Sequence, residues 1–257
     1  MPFTLAHPAA VLPLRGLPYL RTAPLIIGSL VPDLPYFLPA ALNHFILDTH
    51  TFERSYSTTL ALGCVLLAAV FLLRLPLTAL MSARARWLCL AALEPFRRHP
   101  LEWVFAPVAI LLGVWTHLLW DSFTHPDGWM VHRVAALSAP VTIGSYSGPL
   151  CHVLQYLSSV FGLAVLTVWY RRLPVPPTAP AEPDAARSAS GPLLMLAAAG
   201  AILIGAVQAT EHFGHSHLIY KTLNVLLTRS LAWFAVFCLI AGSLVTLEHA
   251  HLSRLRR

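Results

Sequence analysis

Charge is what this sequence has least of. Asp, Glu, Lys and Arg make up 11% of its 257 residues, against about 25% in an ordinary soluble domain. That is too little charge to cover a water-facing globule. With 57% apolar residues and a mean hydropathy of +0.67, the composition points to an integral membrane protein and excludes disorder outside one short stretch. Cysteine is sparse too. Cys64, Cys89, Cys151 and Cys238 are scattered, show no Cys-x-x-Cys spacing and fall mostly in apolar runs. This excludes a disulfide-stapled secreted fold, and the four are expected to act as packing residues. Met1–His7 has no basic leader, and no small-residue cleavage site lies close behind an apolar core, so it does not read as a usual signal peptide. A basic stripe with interleaved aromatics is also missing. The net charge of +6 comes from arginines gathered beside apolar segments, so orientation in a bilayer explains it and no nucleic-acid partner is expected.

What is present is length in apolar windows. A spanning helix needs about 20 apolar residues, and five stretches approach that: Thr58–Leu80, Leu101–Trp120, Val153–Tyr170, Leu193–Gln208 and Leu231–Leu247. Pro8–Leu20 and Pro24–Leu42 are apolar as well, but Pro13, Pro18, Pro32, Pro35 and Pro39 interrupt them and Asp33 sits inside the second. Proline breaks helices, so short or re-entrant helices packed on protein are expected there. The expected fold class is an all-α polytopic membrane helical bundle, with about five spanning helices and short N-terminal ones. Leu173–Pro192 holds six prolines with alanine and serine and reads as a disordered cytoplasmic linker. It divides a core of residues 1–172 from a two-helix tail, 193–257.

If Met81–Pro100 is cytoplasmic, alternation puts 11 of the 17 basic residues inside, which satisfies the positive-inside bias. The same alternation places ten of the 13 histidines on the outer side, all but His99, His249 and His251. That asymmetry suggests a site at the extracytoplasmic face, although histidine is also ordinary in interfacial loops. Within Thr116–His125, His117, Asp121 and His125 are spaced i, i+4, i+8, which stacks them along one helix face. An imidazole and a carboxylate four apart can grip one cation, and a hydrogen-bonded pair would use the same spacing. Asp33 between Pro32 and Pro35 is costly to bury unless paired or metal-bound, and an N-cap role would suit it equally. His7 before Pro8 and His50 are weaker signals taken alone. Glu211–His217 is dense in histidine and is expected in an outer loop. Arg15, Arg21, Arg54 and Arg133 are candidate phosphate contacts on the site's side.

Three blocks then carry a resemblance: the opening Met1-Pro2-Phe3-Thr4-Leu5-Ala6-His7-Pro8-Ala9, Ile27–Asp33, and Thr116-His117-Leu118-Leu119-Trp120-Asp121-Ser122-Phe123-Thr124-His125. Over roughly residues 1–170 they resemble a bacterial membrane family of unknown function with M-P-F-T-x-x-H-P-A and T-H-x-x-W-D-x-F-T-H motifs. More distantly, the order His, Pro-Asp, His, His-x-x-x-Asp is similar to that of inner-membrane metal-dependent hydrolases and of the helical zinc phospholipase C and single-strand nuclease scaffold. This likeness implies that Asp33, His50, His117 and Asp121 form one metal site, and that Asp121 bridges to a second ion held also by His7. The soluble enzymes' later His-x-x-x-Glu block has no match here, leaving His125, His132 or His152 to complete a site.

Nitrogen and carboxylate ligands suit zinc, with manganese or iron next. The expected function is a membrane-embedded metal-dependent hydrolase of phosphoesters or lipid head groups, with Asp33, His117 and Asp121 catalytic and membrane lipids as partners. The alternatives are non-catalytic metal binding, transport, or a structural role. Transport is disfavoured because the inner halves of Thr58–Leu80 and Val153–Tyr170 are almost wholly apolar.

Overall fold

The computed structural model describes residues 3–38, 49–144, 146–174, 184–216 and 219–255. Short helical turns come first: Thr4–Ala6, Pro8–Val11 and Leu12–Gly16. Pro8 sits in the first turn of its segment, where a missing N–H costs nothing. Helix α1 (Thr22–Leu30) runs directly into a tight 3-10 stretch, Val31–Phe37. The longer helices are α2 (Phe52–Leu72), α3 (Ala83–Arg98), α4 (Leu101–Thr124), α5 (Leu150–Arg172), α6 (Asp184–Ser216) and α7 (Ile219–Leu255). Between α4 and α5 lies a small antiparallel hairpin, β1 (Pro140–Ile143) with β2 (Tyr146–Pro149).

The protein is therefore an all-α bundle. Among the described residues five stretches are long and apolar enough to cross a membrane: Phe52–Leu72, Leu101–Thr124, Leu150–Arg172, Ser190–Thr210 and Val225–His251. The first differs from its expected bounds. It begins six residues earlier than Thr58 and stops at Leu72 rather than Leu80, and Arg74–Thr78 forms a separate short helix. Pro76 has no N–H to offer the Leu72 carbonyl, and the Arg74 guanidinium donates instead to the Phe71 carbonyl, 2.6 Å away. The segment between the first two spans is itself helical, because Trp87, Leu90, Leu93 and Phe96 recur along one face.

The chain separates into two compact units. One comprises Met1–Pro35, His44–Ala68 and Pro95–Pro174; the other comprises Tyr36–Asn43, Ala69–Glu94 and Val175–Arg257. Residues 175–257 fall in the second unit, and two earlier stretches join them. Inside that unit Gly242 of α7 lets the Pro76 backbone come close, and Arg229 donates to the Leu38 carbonyl at 2.7 Å. Of the expected linker, 175–183 lies outside the described residues. The remainder from Asp184 is helix rather than coil and carries Pro192 within α6; an acidic first residue followed by alanines favours a helix start.

In the first unit α1 and α4 cross in close contact through glycines. A Cβ on Gly28 would lie 2.8 Å from the Ile110 carbonyl carbon, and one on Gly113 would lie 2.8 Å from the Ser29 nitrogen. Small residues at a crossing let two backbones approach where lipid offers no hydrophobic drive. Val11, Leu25 and Ala109 form a buried core beside this crossing, with Leu14, Leu20, Ile26 and Leu112 against it. The N-terminal strap is tied to α5: the Phe3 N–H donates to Ser159 Oγ at 3.0 Å, and Gly162 lies against Ala6.

Candidate metal centre

Four separate pieces of chain deliver side chains to one place. The strap delivers Thr4 and His7, the 3-10 stretch Asp33, the turn before α2 His50, and the end of α4 His117 and Asp121. The α1–α4 crossing sets two of these at once, because the Ser29 carbonyl on α1 accepts from His117 Nδ1 at 2.8 Å. That bond fixes the ring tautomer and turns an Nε2 lone pair toward Asp33 and Asp121. Asp33 is fully buried. Its Oδ2 accepts from the Thr4 hydroxyl at 2.7 Å, which leaves Oδ1 facing His50 and His117. His50 is held because Thr49 donates to the Pro32 carbonyl at 2.6 Å, and the Thr49 carbonyl accepts from Thr59 at 3.2 Å. Thr59 and Ser55 reach inward from a π-helical turn, Ser55–Thr59, that widens the start of α2.

The resulting spacings are close to those that a ligand shell would need. Asp33 Oδ1 lies 3.2 Å from His50 Nε2 and 3.7 Å from His117 Nε2; Asp121 Oδ2 lies 3.2 Å from His117 Nε2 and 3.9 Å from His50 Nε2. Four donors bound at about 2.0–2.2 Å around a tetrahedral zinc would be about 3.3–3.6 Å apart. The other oxygen of the same carboxylate, Asp121 Oδ1, lies 3.6 Å from His7 Nε2 and 3.5 Å from His125 Nδ1. The His7 and His117 rings stack at 3.8 Å. Both nitrogens of His7, His117 Nε2 and Asp121 Oδ1 are buried without a hydrogen-bond partner. Such atoms are rare, because each orphan costs about 1–3 kcal/mol. Here they belong to three neighbouring residues of one cluster.

His7, Asp33, His50, His117, Asp121 and His125 thus all belong to one cluster. His125 arrives differently from expectation. It is not on the helix but is the extended C-cap residue just beyond Thr124, since Pro126 disfavours helical backbone in the residue before it. Among the described residues no ion pair joins His132 or His152 to the cluster, and His44 lies outside the described residues. Glu211–Ser216 forms the last turns of α6 rather than a loop; His217 and these side chains lie outside the described set. Arg21 is not on the site's side: it pairs through two hydrogen bonds with Glu102, at the opposite end of α4. Arg15, set over the Trp169 ring near the far end of α5, is misplaced for the site in the same way. Arg133 lies over the exposed Trp129 ring at 4.2 Å.

Thr4 and Ser29 went unnoticed as supports in the sequence. Nothing in the spacing marks them, although Thr4 stands in the opening motif. Thr4→Val should keep the fold yet weaken metal binding by about 10–100-fold, the usual cost of losing an outer-shell partner. Thr4→Ser should restore it, and a competitive chelator titration measures both.

Burial, aided by the neighbouring His117, pushes the His7 pKa down from 6.5 to about 3 against the pull of Asp121 and Asp33. Burial also pushes the Asp33 carboxyl up, but the His50 hydrogen bond, the His117 charge, Thr4 and His7 outweigh it and hold the group at about 2, below its ordinary 3.8. His125 is lowered, chiefly by burial. The folded protein therefore keeps His7 neutral while the unfolded chain protonates it below about pH 6.5. The stability this contributes is complete above pH 6.5 and drains away as pH falls toward 3; the Asp33 contribution follows between 3.8 and 2. Melting of chelator-treated protein should show Tm falling steadily from pH 6.5 to pH 4, and His7→Gln should flatten that slope.

The chain belongs to the family described as Domain of unknown function (DUF4184), whose model matches residues 1–247. The match extends through the C-terminal helices, well beyond the blocks that carry the sequence resemblance. No curated protein and no solved structure matches the chain.

Proposed function

We propose that this member of a family of unknown function is a membrane-embedded, metal-dependent hydrolase of phosphoesters or lipid head groups. In this reading Asp33, His50, His117 and Asp121 would hold one zinc, or manganese, and His7 and His125, with the other oxygen of Asp121, would hold a second. The observation that carries the reading is the set of orphaned buried atoms on His7, His117 and Asp121. With Nδ1 donating to Ser29, His117 turns Nε2 to two carboxylate oxygens. That arrangement needs positive charge between them, which a metal ion would supply and a proton on Nε2 would supply as well.

When bound, the metal supplies a water of lowered pKa and polarises a phosphoryl oxygen. The chain's own residues do the remainder. His7 is neutral and Asp33 ionised at physiological pH, so neither must shed a proton to act as a ligand. Ser29 and Thr4 keep His117 and Asp33 aimed. His50 and His125 are the partly exposed members, with side chains 33% and 22% accessible, while His117 is sealed; substrate therefore enters past them. Asp121 and His117 lie three and seven residues before the end of α4, about 4.5 and 10 Å along its axis. With the end of α4 at the outer boundary, the head-group zone between a core of about 30 Å and a bilayer of about 40–45 Å is about 5–7 Å deep, so Asp121 falls within it and His117 just beneath it, and a lipid phosphate reaches Asp121 without leaving the membrane. The reading sets this end of the bundle at the extracytoplasmic face of the inner (plasma) membrane, and the gathering of arginines beside the opposite span ends supports it.

Elemental analysis of protein purified in detergent tests the reading: one to two zinc or manganese ions per chain are expected, together with phosphoesterase activity that a chelator removes. Metal-free protein whose Tm does not respond to added zinc sinks it.

A further inference from the structure

Beside the centre lies a group of aromatic rings that the chemistry above does not use. Phe52 is 58% and Tyr56 50% exposed, and both lean on Trp115 of α4. Phe52 stacks on Trp115 with centroids 5.7 Å apart; Tyr56 meets Phe52 and Trp115 edge-on at 5.3 and 5.7 Å. The indole edge is turned inward, because Trp115 Nε1 donates to the buried Ser55 Oγ at 3.1 Å. Apart from the Tyr56 hydroxyl, ring faces and edges are left outward. The rings touch one another, so no cation fits between them as in an aromatic cage; the group is a shelf. Thr51 caps the turn that carries it by accepting from the Arg54 N–H.

Two features place this shelf next to the substrate path. Phe52 follows two residues after His50, the most exposed of the ligands, so their Cα atoms are at most about 7 Å apart. The shelf also continues into a spanning face. Along α2, Ser55, Thr59, Gly63 and Leu67 are buried at every fourth position, while Tyr56, Ala61 and Val65 are exposed. An apolar strip therefore leads from the side of His50 into the depth the bilayer's hydrocarbon occupies.

We propose that Phe52, Tyr56 and Trp115 seat the hydrocarbon chains of a membrane-resident phosphate amphiphile, whose head group reaches the metal centre past His50. This rests on the metal-hydrolase reading and narrows its substrate class from phosphoesters in general to those carrying long acyl or prenyl chains. Aromatic side chains bury large apolar area against such chains at little entropic cost, and their position at the end of a span suits the junction of head group and tail.

The test uses full-length protein in detergent loaded with cobalt, whose visible bands change when a ligand joins its coordination shell. Long-chain phosphatidic acid in mixed micelles and glycerol phosphate are titrated into the wild type and into the Phe52→Ala/Tyr56→Ala variant. The expected result is unchanged cobalt stoichiometry, phosphatidic acid weakened about tenfold, and glycerol phosphate changed less than about twofold. Equal weakening of both probes, or of neither, overturns the proposal while leaving the metal reading intact. A wild type that takes up no cobalt removes the metal reading and this one with it. If the double variant loses cobalt through misfolding, Phe52→Ser alone carries the same comparison, with loss confined to the long-chain probe as the supporting result and any other pattern overturning it.

Discussion

Asp121→Asn protein should fold, keep its helical content, and retain no tightly held metal. The carboxylate is the one group that faces both halves of the cluster, with Oδ2 toward His117 and His50 and Oδ1 toward His7 and His125. Exchanging it for an amide of the same shape removes the negative charge that would balance the cations and, because the amide keeps one oxygen, a ligand atom from one of the two halves. Loss of an outer-shell partner alone costs about 10–100-fold in affinity, so loss of this shared inner ligand should exceed 100-fold, with any metal-dependent hydrolysis falling to background. Chelator competition and elemental analysis on the same sample read the effect. A variant that still holds the wild-type amount of zinc would falsify the assignment of Asp121 as the bridge.

The second large effect lies away from any ligand. Gly28→Leu should abolish metal binding and lower stability by about 3 kcal/mol or more. A Cβ at that position meets the Ile110 carbonyl carbon at 2.8 Å and its Cα at 2.9 Å. Both are backbone atoms, so no rotamer change makes room, and overpacking of this kind costs about 1–3 kcal/mol even where side chains can yield. Helix α1 must then lift off α4. The lift draws the Ser29 carbonyl from His117 Nδ1 and carries Asp33, just beyond the end of α1, away from Thr4, His50 and His117. Gly16→Ala is the matched control: no atom lies within 4 Å of its added Cβ, so stability should change by no more than about 0.5 kcal/mol. Differential unfolding with and without zinc separates the two outcomes. A Gly28→Leu protein that melts and binds zinc like wild type would show that the crossing does not position the site.

The i, i+4 spacing of His117 and Asp121 was readable as a pair on one helix face, because helical periodicity alone brings such residues together. The cost of an unpaired Asp33 inside an apolar run was equally readable. Neither consideration says where Asp33 goes. Its partners, Thr4 and His50, are 29 and 17 residues away in sequence, and a lone Pro-Asp fits an N-cap as well as a ligand. The error over Arg21 and Arg15 has a related origin. Alternation assigns a side of the membrane to spanning helices, but the short N-terminal turns do not alternate, and Arg21 is found with Glu102 at the far end of α4.

The scarcity of charge and the lengths of the apolar windows by themselves determined that this is a helical membrane protein with five spanning stretches, because the cost of burying charge and the reach of a helix across hydrocarbon are local properties that composition and counting capture. The tertiary structure decided which polar residues share one cluster, which ring nitrogens lack a proton partner, and which side of the cluster is open. Those follow from how closely Gly28 and Gly113 let α1 and α4 approach and from where the N-terminal strap is tied to α5. Such contacts lie between residues dozens of positions apart, where no local periodicity records them.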